Sequence, residues 1–190
     1  MCKGKALIVS FSLVLFVLPA GSAEAQQTPW RYHLPIDKMT RGKDYGKERV
    51  RSSVDVEGRP WRAGLHLFCN GDIMFAVSEK STNKPVKLDT GAPIQSEGWV
   101  FTEFRLKFDN NEPILTLWHF PSPAVPNLTM FVGGEPKSYD EMRKRVVKGM
   151  IKHRRLWIEF AVQNLSYIAK FDLTGLTHEL AKCSKIPDTN

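Results

Sequence analysis

No zinc-binding H-E-x-x-H or C-x-x-C pair, no glycine-rich phosphate loop and no apolar run of membrane-spanning length occurs among the 190 residues of this chain, and cysteine is limited to three. Each shortage excludes a class. The five histidines, His33, His66, His119, His153 and His178, fall in separate segments without chelate spacing, so a metal site of either kind is excluded. Gly133-Gly134 is a turn dipeptide and not a G-x-G-x-x-G series, and no serine stands in a G-x-S-x-G elbow. Cys69 has no plausible base near it in sequence. No catalytic, metal or cofactor residue is therefore assigned, and no cofactor is expected. The carboxylates Asp109, Glu112, Asp140, Glu141, Glu159 and Asp172 leave one enzymatic alternative, a small envelope hydrolase whose two acids converge in a cleft.

What is present at the start has the anatomy of an export signal. Lys3 and Lys5 precede an apolar stretch from Ala6 to Leu18, Pro19 breaks it, and Ala23-Glu24-Ala25 places small residues where a signal peptidase reads. The stretch is about 13 residues, short of the roughly 18 to 20 that cross a bilayer. Residues 1–25 are read as a cleavable signal peptide and 26–190 as a single β-rich domain, periplasmic or secreted, with no membrane span after cleavage. Cys2 leaves with the signal, so Cys69 and Cys183 remain and permit one intramolecular pairing. In an oxidising compartment they are expected to form a disulfide. The domain keeps 25 basic and 19 acidic residues, a net charge of +6 that suits solubility and also an anionic polymer as partner.

Hydrophobic periodicity gives the fold class. Trp30–Leu34 reads as a short strand and Asp37–Arg51 as a polar connection. Leu65–Cys69 and Ile73–Val77 flank Asn70-Gly71-Asp72 as a hairpin, and Trp99–Phe108 alternates as a half-buried strand. Lys80–Ser96 reads as turn and loop. Ile114–Phe120 and Leu128–Val132 read as neighbouring antiparallel strands with prolines between them, and Leu156–Val162 and Tyr167–Phe171 as a hairpin around Gln163-Asn164. One amphipathic helix is predicted near 139–152. Ser138 and Glu141 have capping-box spacing, and Met142, Val146, Val147, Met150 and Ile151 recur at helical intervals. Thr174 is the expected N-cap of a short C-terminal helix. The whole predicts a mainly β fold, an antiparallel β-sandwich of about eight strands with two late helices.

The densest charge is the run Arg143, Lys144, Arg145, Lys148, Lys152, Arg154 and Arg155, a solvated helix face and its exit loop that would also serve an anionic partner. Specific nucleic-acid recognition is not expected, because the aromatics alternate as core strand residues. Asn127-Leu128-Thr129 and Asn164-Leu165-Ser166 match the glycosylation triplet.

Four motifs carry a resemblance: Asp37-Lys38-Met39-Thr40, Leu65-His66-Leu67-Phe68-Cys69-Asn70-Gly71, Phe104-Arg105-Leu106-Lys107-Phe108-Asp109, and Lys170-Phe171-Asp172-Leu173-Thr174-Gly175-Leu176 leading to Cys183. In this order they resemble exported bacterial proteins similar to the periplasmic accessory proteins of type VI secretion clusters and their uncharacterised relatives. The resemblance implies a β-rich periplasmic domain with a Cys69–Cys183 bridge and no catalytic residues. The expectation is a soluble, non-enzymatic accessory or binding module for an envelope or secretion-apparatus protein. An inhibitor or immunity protein is a further alternative.

Overall fold

The structure, a computed structural model, describes residues 28–89, 101–119, 128–133 and 139–185. The signal segment with Ala23 and Ala25, Asn127 at the head of its triplet and the cap residue Ser138 lie outside the described residues. Among the described residues nine strands form: β1 (Arg31–His33), β2 (Arg49–Asp55), β3 (Trp61–Phe68), β4 (Ile73–Glu79), β5 (Phe101–Phe108), β6 (Ile114–His119), β7 (Leu128–Gly133), β8 (Arg155–Val162) and β9 (Leu165–Asp172). Two helices, α1 (Tyr139–Lys152) and α2 (Leu176–Leu180), come late in the chain. The strands pair antiparallel in the order β1-β2-β3-β4-β7-β6-β5-β8-β9.

The fold is the mainly β, antiparallel sandwich that the alternation predicted, with the short edge strand β1 as the ninth. The ladder folds over so that its inner faces meet. Phe75 of β4 lies with ring centroids 5.3 Å from Phe104 of β5, 5.4 Å from Phe160 of β8 and 6.4 Å from Trp118 of β6. Leu65, Leu67, Ile73, Leu106, Ile158 and Phe171 complete that core. Burying each such side chain contributes about 1.5–3 kcal/mol. Strand parity decides which residues enter: Thr102, Phe104, Leu106 and Phe108 point inward while Glu103 and Arg105 stay exposed.

One end is closed by α1, whose Val146, Val147 and Met150 are buried. The helix comes so close to β5 that a Cβ on Gly149 would lie 2.7 Å from the Phe108 ring. Just beyond, Asp109 adopts a left-handed conformation (φ 45°), and its carboxylate accepts the Arg155 N–H at 2.9 Å and the Arg154 N–H at 3.3 Å, with His153 Nδ1 at 3.0 Å. Burial opposes ionisation of Asp109, but these hydrogen bonds outweigh it and hold the carboxyl below its usual range.

The C-terminal segment is sewn to the first strands. Trp30 Nε1 donates to the Asp172 carbonyl at 2.7 Å, and the Tyr32 N–H donates to Glu179 at 2.8 Å. The Tyr32 hydroxyl and the Ser184 hydroxyl both donate to Glu48, and Cys69 is bonded to Cys183.

Two expectations are corrected. The segment read as a connection through Arg51 already enters β2 at Arg49. Thr174 does not cap α2. The cap position is Gly175, in the left-handed region at φ 81°, while the Thr174 N–H turns back to Asp172 Oδ1 at 2.8 Å and its carbonyl accepts the Thr28 hydroxyl at 3.0 Å. A five-residue helix entered through a left-handed turn has no geometry for a threonine cap on the preceding residue.

Candidate interaction surface

The seven basic residues singled out in the sequence do not form one surface. Arg143 is only 22% exposed at its side chain. It donates to the Asn70 carbonyl at 2.9 Å and pairs with Asp140 at 3.3 Å and Asp72 at 3.7 Å, so it bolts α1 to the β3–β4 turn. Lys144 is half-buried and engaged. Arg145, Lys148 and Lys152 recur three and four residues apart and are exposed on one side of α1. Arg154 and Arg155 belong to the Asp109 clip and to a shallow groove that runs beside Trp157, Lys170 and Asp172. Three lysine and arginine heads on α1 and two at the start of β8 thus remain for a partner.

A second surface is built by register on the outer face of β6, β5, β8 and β9. Leu115 pairs with Arg105, Arg105 with Glu159 and Glu159 with Ile168, so these four side chains form one row across four strands. The next row is Lys107, Trp157 and Lys170. Leu115 is 54% exposed and Ile168 46% exposed, although both are large and apolar. The charged groups around them are engaged in the plane of the sheet: the Lys107 ammonium sits 5.5 Å from the Trp157 ring centre, and the Ser166 hydroxyl donates to Glu159 at 2.7 Å. Lys170 reaches Glu57 at 2.9 Å. The result is an open apolar strip rimmed by charge, along which shallow grooves run past Pro113, Arg105 and Glu159.

The candidate acids are distributed. Asp109 holds the end of α1, Asp140 pairs with Arg143, and the Asp172 carboxylate accepts the Thr174 N–H. Glu141 and Glu112 are exposed. Glu103 and Glu159 line one groove together, with Arg105 beside Glu159 at 3.9 Å. Among the described residues no group of three or more His, Cys, Asp or Glu is placed to hold a metal ion, and no helix is long and apolar enough to cross a membrane.

Sequence reading missed a third constellation, on the outer face of β1, β2 and β3. There Arg31 pairs with Arg51 and Arg51 with His66, while His33 pairs with Arg49 and Arg49 with Phe68. Three guanidiniums and two imidazoles from three segments share one face. The only signal in the sequence was the alternation of Arg49 and Arg51 with Val50 and Ser52.

Comparison of the chain with family models, with curated proteins and with solved structures found no match. The surfaces therefore have to be read from their own chemistry.

Proposed function

We propose that this is a non-enzymatic accessory or binding module of an extracytoplasmic compartment, periplasmic or secreted, which docks a protein partner on the outer face of β6, β5, β8 and β9. The observation that carries the reading is the row Leu115–Arg105–Glu159–Ile168. Its apolar ends are exposed while Arg105 and Glu159 face each other at 3.9 Å, so a partner that covers the row leaves neither charge unpaired. The half-buried Trp157 in the adjoining row supplies an aromatic anchor of the kind that dominates interface energetics. The Cys69–Cys183 bridge agrees with an oxidising compartment. The exposed Arg145, Lys148 and Lys152 on α1 add electrostatic steering toward an acidic partner or an anionic envelope polymer, and act on encounter rate more than on affinity.

Photocrosslinking in envelope extract tests this. A crosslinker at position 168 is compared with one at position 148, in wild type and in the Leu115→Glu and Trp157→Ala variants. A defined partner crosslinked at 168 and lost in both variants supports the reading. A partner crosslinked at 148 alone moves the interface to the helix. Hydrolysis of an envelope glycan that Glu103→Gln and Glu159→Gln both abolish would establish the alternative of a small carboxylate hydrolase.

A further inference from the structure

We propose that the outer face of β1, β2 and β3 is a binding site for a phosphate group, held by the guanidiniums of Arg31, Arg49 and Arg51 with the imidazole of His66. It lies apart from the apolar strip and stands independently of the protein-docking reading. Register brings these groups together: Arg31, Arg51 and His66 stand in one cross-strand row, and Arg49 stands one pleat along β2 on the same face, opposite His33. Like charges directly opposite one another on a sheet repel, and none of the three arginines has a carboxylate partner among the described residues. Edge protection explains a charge on the edge strand β1, but not two arginines on β2 facing a half-buried histidine on the interior strand β3.

Two observations turn the repulsion into a site. Arg49 is fixed before any ligand arrives, because one amino group donates to the Lys47 carbonyl at 3.0 Å and its guanidinium lies 5.6 Å from the Phe68 ring centre. Its Nε and His66 Nδ1 are nevertheless buried without a hydrogen-bond partner, a cost that native structures rarely leave standing. A negatively charged hydrogen-bond acceptor at the guanidinium tips answers the repulsion. Three strands spaced about 4.8 Å apart set the outer backbones about 10 Å apart, a span that long arginine side chains can close over one anion. A tetrahedral dianion offers oxygens to several forks at once, whereas a carboxylate offers one planar edge. The phosphate can be the free ion or an ester on a lipid headgroup.

Isothermal titration of the purified protein with inorganic phosphate, at constant ionic strength set with chloride, tests the assignment. Saturable binding of one phosphate per chain is expected, with a rise in Tm that chloride does not reproduce. The Arg49→Gln/Arg51→Gln variant should bind at least about tenfold more weakly. The Lys84→Gln/Lys87→Gln variant, which removes the same charge at exposed positions elsewhere, should bind unchanged. Should the arginine double variant fail to fold, Arg31→Gln and the shift of the His66 ring resonances on phosphate addition give the same readout. Vesicles of phosphatidylglycerol separate the sources: binding that inorganic phosphate displaces identifies a lipid phosphate, and phosphate binding without vesicle binding identifies the free ion. Absence of saturable binding at ~10 mM phosphate, or equal weakening in both charge variants, overturns the proposal.

Discussion

The Ser184 backbone N–H donates to the Glu48 carboxylate at 2.9 Å, beside the bond that joins Cys183 to Cys69. Glu48 is 2% exposed, and its backbone carbonyl accepts the Cys69 N–H at 2.9 Å. A covalent bond and a buried carboxylate thus fasten the same tail to the same strand end. The bridge spans 114 residues of sequence, for which loop closure gives about 4 to 5 kcal/mol as an upper figure. Glu48→Gln should cost about 1.5–3 kcal/mol through the Tyr32 and Ser184 hydrogen bonds. Because both changes release one segment, Glu48→Gln combined with Cys69→Ala/Cys183→Ala is expected to cost less than the sum. Urea denaturation of the three variants checks this, and strict additivity would show that the bridge and the carboxylate act on different units.

Gly149 is required by approach and not by backbone conformation. Gly149→Ala brings a methyl to 2.7 Å from the Phe108 ring, whose base is fixed by its place in β5. A loss of about 1–3 kcal/mol is expected, despite the higher helix propensity of alanine. Phe108→Leu should be destabilising alone and partly restorative in the Gly149→Ala background. Thermal denaturation of the pair measures the coupling.

Strand alternation was legible wherever inward residues were apolar, as in Phe104, Leu106 and Phe108 or in Leu156, Ile158 and Phe160. β2 was read late because its inward positions are Val50, Ser52 and Val54, and a buried serine interrupts the pattern. The disulfide followed from cysteine count and compartment. The capping of α2 did not follow, because a left-handed Gly175 redirects the Thr174 N–H to Asp172. The arginine and histidine array was invisible for another reason. Arg31, Arg51 and His66 lie in three segments that only strand register aligns, and no local spacing encodes register.

The basic run of α1 should separate into structural and surface members. Arg143→Ala removes a hydrogen bond to the Asn70 carbonyl and contacts with Asp72 and Asp140, so a loss of about 1–2 kcal/mol is expected. Lys148→Ala on the exposed side should change stability by less than about 0.5 kcal/mol. Guanidinium denaturation distinguishes them, and equal effects would mean that Arg143 is no anchor. Charge reversal of the entire run would therefore confuse unfolding with lost binding, whereas Arg145, Lys148 and Lys152 can be reversed together without that ambiguity.

His66 sets the response to mild acid. Burial, then Arg49, Arg51 and His33, push its imidazole from 6.5 down to about 4, and His33 is lowered by burial and the same two arginines. A histidine whose folded pKa lies below its unfolded value binds protons more readily when unfolded. Its contribution is therefore complete above pH 6.5 and is lost as pH falls from 6.5 toward 4. For His66 the loss approaches ~3 kcal/mol across that window. The carboxylates of Asp109, Glu48 and Glu179 are held below their usual range, so their contributions are lost only at still lower pH, and the interval between pH 6.5 and 5 isolates the histidines. Urea midpoints measured across that interval should fall with acid in wild type, and His66→Gln should flatten most of the slope. An unchanged slope in that variant would assign the acid sensitivity to another group and remove His66 from among the buried imidazoles that matter.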